Sequence, residues 1–239
     1  MTSSSSEVSS WSFEQLLDCV QCSEAELLEG LQSADAIKVD ENSWTVIDPD
    51  MRMRIISLIC NVISENSWSW DNVPKQEALE LIKNIEDENI TSQVLDQYFS
   101  FHNNKNGVHR AKLCRFYGEY LLQSSSVFNL NEFLKIWQES MPIIDTNEEP
   151  FEAKVEHLEG LALINNDQIK YFPEVKLPTT IQDRLSVLFD AKEKWSLQEI
   201  TPFVINMTTP KLNVKALLTK YARASRVNGQ QVFSSKHQH

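Results

Sequence analysis

The chain has 239 residues, 41% hydrophobic and 23% charged, with a formal net charge of −12. This is the composition of a soluble globular protein, and no apolar run approaches the roughly twenty residues that a bilayer span needs, so no membrane partner is expected. The charge is uneven. No acidic residue follows Glu199, while Lys211, Lys215, Lys220, Arg223, Arg226 and Lys236 give that tail +6 and leave −18 for the residues before it.

In chain order, the start is rich in serine (Ser3 to Ser6, Ser9, Ser10) and lacks the basic and apolar stretches of a signal peptide. Apolar residues at three- and four-residue spacing predict helices over 12–20 and 23–33, and a hairpin follows at 36–39 and 44–47, turning at Asp40-Glu41-Asn42. Further helices are expected over 50–65, 75–85 and 92–101, with Asn106-Gly107 marking a weak turn. The next set has helices over 110–124, 130–140 and 150–158, a left-handed stop at Gly160, and a hairpin of 161–164 and 169–172 about Asn165-Asn166-Asp167. Asp145 to Pro150 reads as an exposed loop. The last set has helices over 181–191, 197–206 and 211–225, then Asn228-Gly229 as a two-residue hairpin turn before 230–233.

A short phrase recurs about every sixty residues: Trp11-Ser12-Phe13, Trp68-Ser69-Trp70, Phe128-Asn129-Leu130 and Trp195-Ser196-Leu197. Its Ser or Asn can cap a new helix, with Gln15, Glu132 or Glu199 reaching back to the cap. Each copy is therefore expected to start a helix and to pin it with the preceding aromatic. Helix, helix, hairpin is the order of a winged helix. The expected architecture is mainly α with short β-hairpins: tandem winged-helix domains in an extended array, with an incomplete module at 7–48 and domains at 49–109, 110–176 and 177–239. The incomplete module is expected to pack on the helix over 50–65. Trp11, Trp68, Trp137 and Trp195 recur at module positions and are expected in the cores.

On the final predicted helix, Val214, Leu217, Leu218, Tyr221 and Ala224 gather on one side and Lys211, Lys215, Arg223 and Arg226 on the other, with Lys220 at the edge. Asn213, Thr219, Ser225 and Gln230 add hydrogen-bonding groups suited to phosphate and sugar. Together with Lys236 these cations form the candidate DNA-binding set, of low sequence specificity towards single- or double-stranded DNA.

Other signals argue against chemistry. Cys19 and Cys22 have the spacing of half a zinc site without a second pair, and with Cys60 and Cys114 they read as ordinary buried thiols of a reducing compartment. None of His102, His109, His157, His237 and His239 has a nucleophile setting, and no phosphate-binding glycine loop occurs. No enzyme activity, metal or cofactor is expected. A protein-interaction scaffold without DNA binding is the alternative.

Ala216-Leu217-Leu218-Thr219-Lys220-Tyr221-Ala222-Arg223, with Asn228-Gly229 and Val232-Phe233, resembles the C-terminus of the DCC family of sister chromatid cohesion proteins. Glu65 to Ser69, Leu121 to Gln123, Phe128 to Leu130 through Gln138, and Leu158 to Leu163 are similar to it as well. The resemblance implies a nuclear subunit of the alternative, cohesion-specific replication factor C clamp loader, which works on PCNA. It implies a barrel portion that joins the accessory subunits, then winged helices that bind DNA and engage the catalytic subunit of polymerase epsilon. This sequence begins where the winged-helix part would begin, so the barrel is expected to be missing. The family has three winged helices against four copies of the phrase, hence the incomplete assignment of 7–48.

Overall fold

The structure, a computed structural model, describes residues 10–101, 107–144 and 148–236. His102, Asn106, loop residues 145–147, His237 and His239 lie outside the described residues. Compactness divides the chain into two units, Met1–Leu113 with Pro142–Phe151, and Cys114–Met141 with Glu152–His239.

The first unit opens with strand β1 (Trp11–Ser12), helices α1 (Phe13–Val20) and α2 (Glu24–Ser33), and strands β2 (Ile37–Lys38) and β3 (Ser43–Thr45). Helix α1 starts at Ser12 because the Ser12 hydroxyl accepts the Gln15 N–H while the Gln15 side chain accepts the Ser12 N–H, the reciprocal cap foreseen from sequence. Helices α3 (Pro49–Glu65), α4 (Lys75–Ile82) and α5 (Glu88–Tyr98) follow. Ile55, Ile56, Ile59 and Ile63 bury one stripe of α3, each isoleucine contributing about 1.5–3 kcal/mol. The opening hairpin is held by α3 and by α5. Arg52 donates to the Asp35 carbonyl at 2.8 Å, and the Gln97 amide donates to the same oxygen at 3.0 Å.

The Trp68 copy of the phrase behaves differently from the others. The Ser69 hydroxyl accepts the Asp71 N–H, in a turn, and α4 starts after Pro74 with no side-chain cap. Trp70, not Trp68, fills the buried aromatic place, and its carbonyl accepts the Val108 N–H at 2.9 Å. Asn72-Val73-Pro74 separates phrase from helix, and Pro74 suits the helix entrance.

Helix α6 (Arg110–Gln123) carries the chain into the second unit. There strand β4 (Phe128–Asn129) leads into α7 (Leu130–Ser140), and β5 (Ala162–Asn165) and β6 (Gln168–Tyr171) form a hairpin. The helix expected over 150–158 is reduced to a 3₁₀ turn, Val155–Leu158. The Ala153 N–H is taken by the Gln138 side chain at 2.9 Å. Gly160, with φ of 74°, ends that turn in the left-handed region as expected.

Last come α8 (Ile181–Ala191), β7 (Trp195–Ser196), α9 (Leu197–Val204), α10 (Val214–Tyr221), β8 (Arg223–Val227) and β9 (Gln230–Ser234). Among the described residues there are three antiparallel sheets, ordered β1-β3-β2, β4-β6-β5 and β7-β9-β8. In each, the first residue of the phrase pairs across the sheet: Trp11 with Trp44, Phe128 with Ile169, Trp195 with Phe233. The phrase is thus a two-residue strand as well as a cap. Aromatic and β-branched partners stabilise such pairs by a few tenths to about 1 kcal/mol. The architecture is mainly helical with short hairpins.

Of the recurring tryptophans, Trp137 and Trp195 are core residues, whereas Trp68 is half-buried and Trp11 is 51% exposed. Cys60 and Cys114 are buried, but Cys19 is exposed and Cys22 half-buried, which corrects the expectation of four buried thiols.

Candidate nucleic-acid interface

The basic tail folds as a helix followed by a hairpin, not as one long helix. Helix α10 ends at Tyr221 because Ala222 turns extended, its N–H closing on the Leu218 carbonyl, and β8 then pairs with β9 over all five of its residues. The turn between them places Asn228 at φ 50° and Gly229 at φ 83°, the left-handed pair that a two-residue hairpin requires. A helix over 211–225 is therefore corrected. Arg223 and Arg226 belong to a strand, and Ala224, expected on the buried helix face, is an exposed strand residue.

The helix's apolar side is sealed by Val214, Leu217 and Leu218, which join Trp195, Ile200, Phe203 and Phe233 in one core. Lys215, Ala216, Thr219 and Lys220 make up the opposite arc and, with Asn213, line a shallow open depression. Lys211 lies in the turn before the helix, next to the bridge of Thr209 with Leu212. Strand alternation sends Arg223 and Arg226 to opposite faces of the hairpin. The cations therefore surround the helix–hairpin unit and do not share one helix face.

All of Lys211, Lys215, Lys220, Arg223, Arg226 and Lys236 are exposed. Among the described residues none of them forms an ion pair, while cations elsewhere meet acids: Arg110 with Asp71 at 2.6 Å, Lys192 with Glu199 at 2.6 Å, Lys75 with Asp96 at 2.6 Å. Two of the six have local duties. The Lys236 ammonium donates to the Lys220 carbonyl at 2.5 Å, a cation at a helix C-terminus, and Lys220 lies 5.0 Å from the centre of the Tyr221 ring. The polar groups read as phosphate contacts are also partly engaged: Asn213 caps α10 by accepting the Ala216 N–H, and Thr219 donates to the Lys215 carbonyl. The side chains of Lys211, Lys215, Arg223 and Arg226 have no such engagement among the described residues and can meet an anion.

Among the described residues no group of three or more His, Cys, Asp and Glu side chains is arranged to hold a metal ion, and no helix is long and apolar enough to cross a membrane. His157 packs edge-on against Trp137, its Nδ1 has no partner, and burial, with Lys154 and Arg115 nearby, lowers its pKa from the ordinary value.

Residues 1–204 match the family model described as "Sister chromatid cohesion protein Dcc1". The chain belongs to this family. It is similar to the Dcc1 protein of Mus musculus, 32% identical over 236 residues that cover 95% of this chain and 57% of the mouse protein. Its likeness to the Dcc1 of Homo sapiens is 31% over 239 residues, 97% of this chain and 59% of the human protein, and to that of Xenopus laevis 32% over 241 residues, 98% and 60%. The chain thus spans about three fifths of the length of these Dcc1 relatives. The Dcc1 family match ends at 204, ahead of the basic residues, while the Dcc1 relatives align over nearly the whole chain.

Proposed function

We propose that this chain is the tandem winged-helix portion of a non-catalytic cohesion protein that holds DNA weakly through Lys211, Lys215, Lys220, Arg223, Arg226 and Lys236. Strand, two helices and a hairpin, in that order and with the hairpin's second strand central, support a winged-helix reading of the modules at 7–48 and 177–239, and 110–176 follows the same order with a 3₁₀ turn in place of its second helix. The segment 49–109 has helices α3, α4 and α5 with the isolated bridge of Phe99 with Val108 in place of a sheet among the described residues. In winged helices the third helix and the wing commonly meet DNA, and here those are α10 and the β8–β9 hairpin.

The observation that carries the reading is the set of exposed cations with no acidic partner among the described residues, in a protein whose net charge is −12. An acidic body repels a polyanion and confines contact to this end. Phosphate contact without base readout gives low specificity.

The assembly we infer is the cohesion-specific clamp loader acting on PCNA in the nucleus, with the catalytic subunit of polymerase epsilon as protein partner. Joining of accessory subunits through a barrel portion is proposed for the whole protein. Mechanistically the chain is a tether, because linking a weak DNA contact to a protein contact raises the effective concentration of each. Fluorescence anisotropy of labelled single- and double-stranded oligonucleotides across a salt series tests it. The expected slope of log K against log salt is about −4 to −5, from four to six phosphate contacts. Absence of a salt-dependent signal would leave the scaffold reading in its place.

A further inference from the structure

Two threonines of the chain stand directly before a proline, Thr201 before Pro202 and Thr209 before Pro210, and the fold treats them differently. Thr201 lies within α9, half-buried, and its hydroxyl donates to the Leu197 carbonyl at 2.6 Å. Thr209 and Pro210 are both exposed, in the turn ahead of α10. Thr208 and Thr219, the other threonines after Glu199, spend their hydroxyls on the carbonyls of Ile205 at 2.7 Å and Lys215 at 2.8 Å. Thr209 uses its main chain instead, donating to the Leu212 carbonyl at 3.2 Å and accepting the Leu212 N–H at 2.9 Å, and its hydroxyl makes no hydrogen bond among the described residues.

Turn geometry accounts for Pro210, whose fixed φ suits the second place of a four-residue turn. It does not account for an exposed, unengaged hydroxyl directly before that proline. Thr-Pro at a surface is the pattern that a proline-directed protein kinase accepts, because its pocket for the following residue is apolar and offers no acceptor to a main-chain N–H, which proline lacks. Such a kinase also draws its substrate out into an extended segment. At Thr209 that requires opening a turn closed by two main-chain bonds, whereas at Thr201 it requires unwinding α9.

The surroundings of Thr209 are cationic. Lys211 follows it by two residues, Lys215 stands in the first turn of α10, and no acidic residue occurs after Glu199. We propose that Thr209 is a phosphorylation site for a proline-directed kinase, and that its phosphate weakens the hold of the basic end on DNA. In the transfer the γ-phosphoryl group of ATP passes to Thr209 Oγ1, the bond from that phosphorus to ADP breaks, and the hydroxyl proton goes to the carboxylate base of the kinase. The product carries about −1.5 to −2 at neutral pH and cuts the +6 of the tail to about +4. Lys211 and Lys215 then pair with the phosphate beside them, in competition with DNA. The effect on DNA rests on the DNA-binding reading above, while the modification itself does not.

The test incubates the full chain with a purified mitogen-activated protein kinase, magnesium and ATP, and locates the phosphate by mass spectrometry. One phosphoryl group on Thr209 is expected, with none on Thr201 and none in Thr209→Ala, an exposed turn substitution that keeps the native urea midpoint. In low salt the phosphorylated chain should bind a labelled duplex at least about tenfold more weakly than the unmodified chain, with the slope of log K against log salt shallower by about 2. A second measurement does without DNA: the second pKa of the phosphate, followed by phosphorus NMR, should lie below its ordinary value of about 6 and return towards it in Lys211→Gln/Lys215→Gln. An unmodified chain that binds no DNA would defeat the DNA-binding reading, and the modification site would stand or fall on the mass spectrum and the phosphorus titration. No transfer to Thr209, transfer to Thr201, a phosphate of ordinary pKa, or undiminished DNA binding after phosphorylation would each overturn the proposal.

Discussion

Arg52 and Arg184 occupy the same place in their modules. Each is the fourth residue of a helix, α3 or α8, each is buried, and each spends its guanidinium on main-chain carbonyl oxygen and a carboxylate, Arg52 donating to the Gln97 side chain as well. Arg184 donates to the carbonyls of Pro178 at 2.7 Å and Phe203 at 2.8 Å, and pairs with Glu174. Removing one partner of a buried pair strands the others, so Arg184→Ala should lower stability by about 3–5 kcal/mol. The exposed Lys135–Glu139 pair, 3.9 Å apart, sets the contrast, and Lys135→Ala should cost under about 1 kcal/mol. Urea unfolding of the full chain followed by fluorescence measures both.

Ser196 and Ser69 occur in the same repeated phrase and predict different costs. Ser196 takes part in a reciprocal cap with Glu199 at the start of α9, and Ser196→Ala should lose about 1 kcal/mol. Ser69 holds a turn and caps no helix, so Ser69→Ala should stay within about 0.5 kcal/mol of the parent. A loss for Ser69→Ala equal to that for Ser196→Ala would contradict this assignment.

Gly118 of α6 tests close packing. Alanine in place of a helical glycine normally gains up to about 1 kcal/mol. Here a Cβ would lie 2.8 Å from both Leu158 and Trp137, and Trp137 is fully buried and bonded in place. Overpacking should win, and Gly118→Ala should be destabilised by about 1–3 kcal/mol, read from its melting temperature.

Charge reversal separates the DNA-binding surface from the fold. Lys215→Glu/Arg223→Glu changes two exposed side chains with no ion pair among the described residues. DNA affinity should fall by about tenfold or more in low salt, with the salt slope shallower by about 2. The melting temperature should stay nearly constant. Unaltered DNA binding would remove α10 and its hairpin from the interface.

His157 gives a pH dependence. Burial lowers its folded pKa from 6.5, so below 6.5 the unfolded chain binds more protons than the native one. Its contribution is complete above pH 6.5 and is lost as pH falls through the lower folded value. His157→Gln should flatten the stability profile in that range. Urea midpoints of both proteins between about pH 5 and 8 provide the comparison.

Much of this architecture could be read from residue pattern. Ile181–Ala191 and Leu130–Ser140 were legible to the residue, the second from its Asn129 cap. Two boundaries were not. Residues 222–225 continue a helical spacing of apolar positions, and only pairing with β9 draws Arg223 and Ala224 into a strand. Likewise Trp68 and Trp70 look interchangeable, and the choice is made by the bond from Val108, nearly forty residues on. The exposed cations were legible from the absence of acids after Glu199. Their distribution over both faces of a hairpin was not, since alternation applies only once the strand is known.

The middle strand of every sheet is the last one in the sequence. A ribosome therefore releases each module with its centrepiece still to come, and β1, β4 and β7 wait as unpaired stubs until the closing hairpin emerges. A nonsense codon at Gln230 would leave Trp195 without Phe233 and open the final hydrophobic centre to water. Such a product would be a target for quality control, and the five residues of β9, short as it is, decide whether the basic end exists as a folded object at all.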